Sequence, residues 1–94
     1  MSLSDPIPQQ ARTELERLAR RWQQLPLDRA LRCVPAVREV AQRFADAGPH
    51  PGELPDLGPA VLLDQLTVTA YDLAAAGKAD ILEPELARLR RDIG

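Results

Sequence analysis

The sequence is short of the residues on which most protein chemistry rests. Its 94 residues include one Cys, one His and one each of Trp, Tyr and Phe. Cys33 has no second cysteine to pair with and no evident activating neighbour, so it reads as a buried structural thiol in a helix. His50 lacks any partner at HxxxH or CxxC spacing. Glu53 and Asp56 could join it around a metal only through a loop conformation that the sequence does not specify, so neither a metal nor a cofactor is expected. Ser2 and Ser4, the only serines, sit at the terminus, where nothing supports a nucleophile. Neither GxxxxGK[ST] nor GxGxxG occurs, which removes the two common phosphate cradles. The carboxylates of Asp64, Asp72, Asp80, Glu83 and Glu85 are scattered at spacings that define no catalytic pair. No enzymatic activity is expected.

Other absences bound the setting. The N-terminal MSLSDPIPQQ has neither the basic start nor the apolar run of a signal peptide, and no apolar stretch is long enough to cross a bilayer. A cytoplasmic location is therefore expected. Of the twelve basic residues all but Lys78 are Arg, and Ala, Leu and Pro are abundant, a composition of GC-rich coding sequence that points to a bacterial chain. Residues 1–50 carry a net charge of +2 and residues 51–94 one of −4. Neither half makes the strongly basic field that phosphate neutralisation needs.

What the chain does hold is enough apolar material, 45% of residues, for one domain spanning 1–94. With so few aromatics its core must come from Leu, Val and Ala. A core this small often gains stability from a partner subunit. Apolar residues recur at helical spacing, and no strand alternation competes, so the expected fold is all-α, a small bundle of four to five helices. In residues 8–24 the stripe is Ala11, Leu15, Leu18, Ala19, Trp22 and Leu25, with Pro8 in the opening turn and Pro26 forcing the end. Trp22 lies on that stripe and is read as core. Between 27 and 47 the apolar stripe shifts by about 90° at Pro35, which predicts two helices, 27–33 and 35–47, or one sharply kinked one. Residues 59–76 read as a helix opened by Pro59 and stopped by Gly77, and 84–92 as a final helix admitted by Pro84. Residues 1–7 are expected to be mobile.

The Pro/Gly-rich segment 48–58, within GPHPGELPDLGP, is longer than a usual helix connection. Its composition suits a stiff joint that docks Leu54 and Leu57 beside the bundle, with His50 left in solvent.

One surface stands out. Helix 59–76 buries a stripe of Leu62, Leu63, Leu66, Thr69, Ala70 and Leu73, yet Val61, Val68 and Ala75 form a second apolar line almost opposite, flanked by Asp64 and Tyr71. A lone surface helix should be polar there. Val61, Asp64, Val68, Tyr71 and Ala75 are therefore the candidate partner interface. The functional expectation is a protein-interaction or accessory module that forms a homodimer or meets another protein, unless the chain's own segments cover this line. A small helical DNA-binding regulator is the alternative, with 35–47 as its reading helix and arginines of residues 17–43 as its basic surface; Glu39 and Asp46 on that helix weigh against it. No membrane partner is expected.

Overall fold

Among the described residues, three of the four α-helices open on proline. In the computed structural model, which describes residues 5–94, Pro8 and Pro26 are the N-caps of α1 (Gln9–Gln24) and α2 (Leu27–Ala47), and Pro59 is the first residue of α3 (Pro59–Ala75). Proline suits these places because its missing N–H is not needed in a first turn. After a 3₁₀ turn at Ala79–Ile81, α4 runs from Leu82 to Ile93. It begins two residues before the expected start, and Pro84 falls within its first turn, where again no amide donor is required. No strand occurs among the described residues.

Gly77 ends α3 by adopting a left-handed φ of 84°. The Lys78 amide then donates to the Leu73 carbonyl at 3.1 Å and the Gly77 amide to that of Ala74 at 3.0 Å. This is a Schellman cap, which satisfies carbonyls that a helix end would otherwise orphan.

Pro35 does not divide α2. Of the two expected arrangements, separate helices 27–33 and 35–47 or one kinked helix, the first does not occur: α2 is a single helix of 21 residues with proline inside it. Pro35 is exposed and so is Leu31, whose carbonyl loses its amide donor. Water can hydrate that carbonyl, while the other side of the helix buries Ala30, Val37, Val40, Ala41 and Phe44. Packing along both halves holds the helix together across a residue that would break an isolated one.

The core joins Leu15 and Leu18 of α1, Val37, Val40 and Phe44 of α2, Leu62, Leu66 and Leu73 of α3 and Leu82, Leu86, Leu89 and Ile93 of α4. Trp22 is half-buried against it and donates its indole N–H to the Pro59 carbonyl at 3.0 Å. Glu14 is nearly buried on α1 and meets Arg90 of α4 at 2.5 Å. Hydrogen bonding to Glu14, and then its charge, raise the Arg90 pKa above the usual arginine value. Residues 1–4 of the expected mobile stretch lie outside the described residues. Ile7 belongs to the core, and the Asp5 carboxylate accepts its amide at 2.9 Å.

The helices run up, down, down, up. The indole of Trp22, near the end of α1, meets Pro59 at the start of α3, and Ala30 shares a depression with Pro59 and Ala60. Arg38 and Gln65 both donate to the Pro55 carbonyl, which places them at one level. Lys78, just beyond α3, donates to the Ala47 carbonyl at the end of α2. Positions along α2 and α3 thus rise together, and the two helices are parallel. The contacts Glu14–Arg90 and Arg21 to the Gly94 carbonyl make α1 and α4 parallel in the same way.

Parallel neighbours cannot be joined by a tight turn, and this is why residues 48–58 are long. The segment must return from the level of Ala47 to that of Ala30, about 26 Å of helix, which eleven near-extended residues can span. It forms a strap along the groove between α2 and α3. Gln42 bridges it twice, donating to the Gly52 carbonyl at 2.8 Å and accepting from the Leu54 amide at 2.9 Å. Arg38 donates to the Leu54 carbonyl at 2.5 Å and Gln65 to that of Pro55 at 2.9 Å. Asp56 caps the Gly58 amide, and Gly58, at φ 89°, turns the chain into α3. Leu54 packs against the core as expected. Leu57 does not: it is 57% exposed, because the strap is held by its carbonyls rather than by both leucines.

Candidate functional site

Helix α3 touches the rest of the chain over little more than half its circumference. At about 100° per residue, Leu62, Leu63, Leu66, Thr69, Ala70, Leu73 and Ala74 fill one buried arc. Val61, Gln65 and Asp72 lie half-buried on the edge nearest the strap, where Leu54 shares a shallow depression with Val61, Gln65 and Val68. The remaining arc, Ala60, Asp64, Thr67, Val68, Tyr71 and Ala75, faces solvent. Val68 is 58% exposed and Tyr71 49%.

Four of the five residues singled out from the sequence, Asp64, Val68, Tyr71 and Ala75, are therefore exposed together on one side, and Val61 stands at its margin beneath the strap. Val68 stays exposed among the described residues, although it borders depressions that it shares with Pro49, His50 and Leu54 of the strap. The strap contributes Leu54 to the same neighbourhood, a residue whose part in this surface the periodicity of α3 alone did not reveal.

The chemistry of this arc differs from that of every other helix. Exposed positions of α1 include Glu16, Arg17 and Arg20; those of α2 include Leu27 and Leu31 but set among Asp28, Arg29, Arg32, Glu39 and Asp46; those of α4 include Arg88, Arg91 and Asp92. On α3 the only exposed charge is Asp64. The Thr67 hydroxyl is already engaged with the Leu63 carbonyl at 2.9 Å. What the face offers is mainly methyl and ring surface, a side chain or two per turn, with small residues at Ala60 and Ala75 that let another backbone come near.

The other residues weighed for chemistry are dispersed. His50 is exposed on the strap. Cys33 is half-buried against the core rather than fully enclosed. Among the described residues no three of His, Cys, Asp and Glu converge as metal ligands would, and no helix is long and apolar enough to cross a membrane. An open groove of about 700 Å³ runs along α2 beside the strap, but its α2 side chains Arg38, Glu39, Gln42, Arg43 and Asp46 already have partners. Arg38 and Gln42 hold the strap, and Arg43 binds Glu85 at 2.6 Å and Glu39 at 2.7 Å. The Glu85 hydrogen bond is the main influence raising the Arg43 pKa above its usual value. The helix expected to read DNA, 35–47, is not a separate element, and its two arginines are the engaged Arg38 and Arg43. Arg32, earlier on the same helix, faces Asp28 at 3.7 Å.

No protein-family model, no curated protein and no solved structure matches the chain.

Proposed function

We propose that the protein is a non-enzymatic helical interaction module that self-associates through the outer face of α3. The observation that carries this reading is the scarcity of charge on the exposed arc of α3: it holds one charge beside the substantially exposed Val68 and Tyr71, whereas α2, which also exposes Leu27 and Leu31, intersperses them with Asp28, Arg29 and Arg32. Leaving such an arc in water forgoes roughly 25 cal/mol for each Å² of apolar surface, which a second chain would recover. The rest of the molecule supports a scaffold role. Its polar side chains hold helices and strap to one another, as Glu14 does with Arg90 and Gln42 with the strap, and the described residues bring no nucleophile together with a base.

Small-angle scattering tests the proposal. The chain by itself has a radius of gyration of 12.8 Å, whereas a globular pair of such chains should give about 16 Å. The wild type is expected to show the larger value at micromolar concentration. Val68→Glu, which sets a charge in the middle of the face, is expected to return it to the smaller value with helicity unchanged by circular dichroism. A wild type that remains monomeric across the micromolar range, or a Val68→Glu variant that remains dimeric, overturns the reading.

A further inference from the structure

Resting on that reading, we infer that the occupant of the α3 face is α3 of a second copy running antiparallel, with Val68 of each copy against Tyr71 of the other and Asp64 of each near the other's Lys78.

The line has a polarity. Asp64 sits toward its N-terminal end and makes no ion pair among the described residues. Lys78 stands just past the C-terminal end, exposed, with its ammonium on the Ala47 carbonyl and on no carboxylate. Between the two lie the uncharged exposed residues Thr67, Val68, Tyr71 and Ala75. A face that begins with an acid and ends with a base complements itself when a second copy is turned end for end.

Charge also rejects the other arrangements. Parallel pairing would place Asp64 beside Asp64 and Asp72 beside Asp72 of the second copy. An antiparallel pair centred on Val68 against Val68 would set Asp64 opposite Asp72, again like against like. Shifting the register so that Val68 meets Tyr71 removes that clash. Asp64 then stands opposite Ala75 and Asp72 opposite Thr67, neither of which carries a charge. Val61, Val68 and Ala75 follow one another at seven-residue spacing, as do Asp64 and Tyr71, so this register is the layering of an antiparallel two-helix seam in which each residue of one set faces one of the other. Lys78 of the second copy lies one turn beyond Ala75. Its long side chain can exchange a solvent-exposed carbonyl for the Asp64 carboxylate. Tyr71 supplies ring area to the central layers while its hydroxyl stays at the wet margin.

Charge exchange in the full chain tests the arrangement, with dimer dissociation measured by analytical ultracentrifugation at low salt. Asp64→Lys and Lys78→Glu are each expected to weaken the dimer roughly tenfold, because two symmetry-related pairs are lost and each exposed pair is worth a few-fold. The double variant is expected to recover to within about threefold of wild type. Both positions are exposed, so folding should persist, and circular dichroism checks it. Independently, in a Cys33→Ser background, chains carrying Asp64→Cys mixed with chains carrying Ala75→Cys should join through a short bismaleimide, while Asp64→Cys alone should not. If Val68→Glu dissociates the dimer but the double charge variant is no tighter than either single one, or if Asp64→Cys links to itself, the face is an interface and the antiparallel register is wrong. If Val68→Glu leaves the dimer intact, or the wild type is monomeric, both this arrangement and the reading beneath it fail. Retention of the wild-type chain by an unrelated basic helix, with no self-association, would likewise replace the second copy as occupant.

Discussion

At the scale of single residues, the same residue type does different work according to where its backbone and surroundings put it. Gly77 is needed for its φ of 84°, and a Cβ built there would meet nothing within 4 Å, so any cost of replacing it is purely conformational. Gly77→Ala is expected to lower stability by about 1 kcal/mol, read as a shift in the urea midpoint with unchanged slope. A neutral result would show that the Schellman turn relaxes without loss. Glu14 and Asp64 make a similar contrast. Glu14 is enclosed and held by Arg90, and removing that arginine would strand a nearly buried carboxylate, whereas Asp64 has water around it and no cation of its own. The sequence distinguishes these two acids only through the stripe each lies on. It was silent on the partner of Glu14, 76 positions away in the chain.

Elements show how a rule that holds for an isolated helix yields to packing. Pro35 lacks the amide that would bond Leu31, and the shift of the apolar stripe there suggested two helices. Yet Ala30 on one side and Val37, Val40, Ala41 and Phe44 on the other are all buried, and one helix serves both halves. If the helix persists despite Pro35, relieving it should stabilise the fold. Pro35→Ala restores a donor at an exposed site and is expected to add about 1–3 kcal/mol to the unfolding free energy measured by chemical denaturation. No gain would mean that α2 is already bent to suit proline. Most helix boundaries were legible because proline and glycine mark them chemically: Pro8, Pro26, Pro59 and Gly77 stand where the periodicity begins or stops. The direction of the 48–58 segment was not legible. Its prolines favour extended backbone, but whether it turns back tightly or runs the length of α2 depends on Gln42, Arg38 and Gln65, side chains that contact it only in the folded molecule. The α3 face was legible in outline, since spacing alone placed Val61, Asp64, Val68, Tyr71 and Ala75 on one side; that Val61 tucks toward Leu54 was decided by the strap.

For the molecule as a whole, the up-down-down-up order means that the tightest helix partnerships link the first half of the chain to the second: α2 with α3, and α1 with α4. The strap is the only covalent link between those halves, and Pro49, His50, Pro51, Gly52 and Glu53 on it are exposed. The protein is thus two helical hairpins clasped together, each supplying what the other lacks. A peptide of residues 1–50 carries +2 and one of 51–94 carries −4, so the pieces also attract. Neither hairpin alone can cover its apolar side, and each is expected to show little helix by circular dichroism. Mixed in equal amounts, they should regain helicity together and quench or shift the Trp22 fluorescence as its indole meets Pro59 again. Helical hairpins that form fully when separate would contradict this division. Successful reassembly would make the chain a split reporter, with the severed strap as the seam at which two fused cargoes could be brought together on demand.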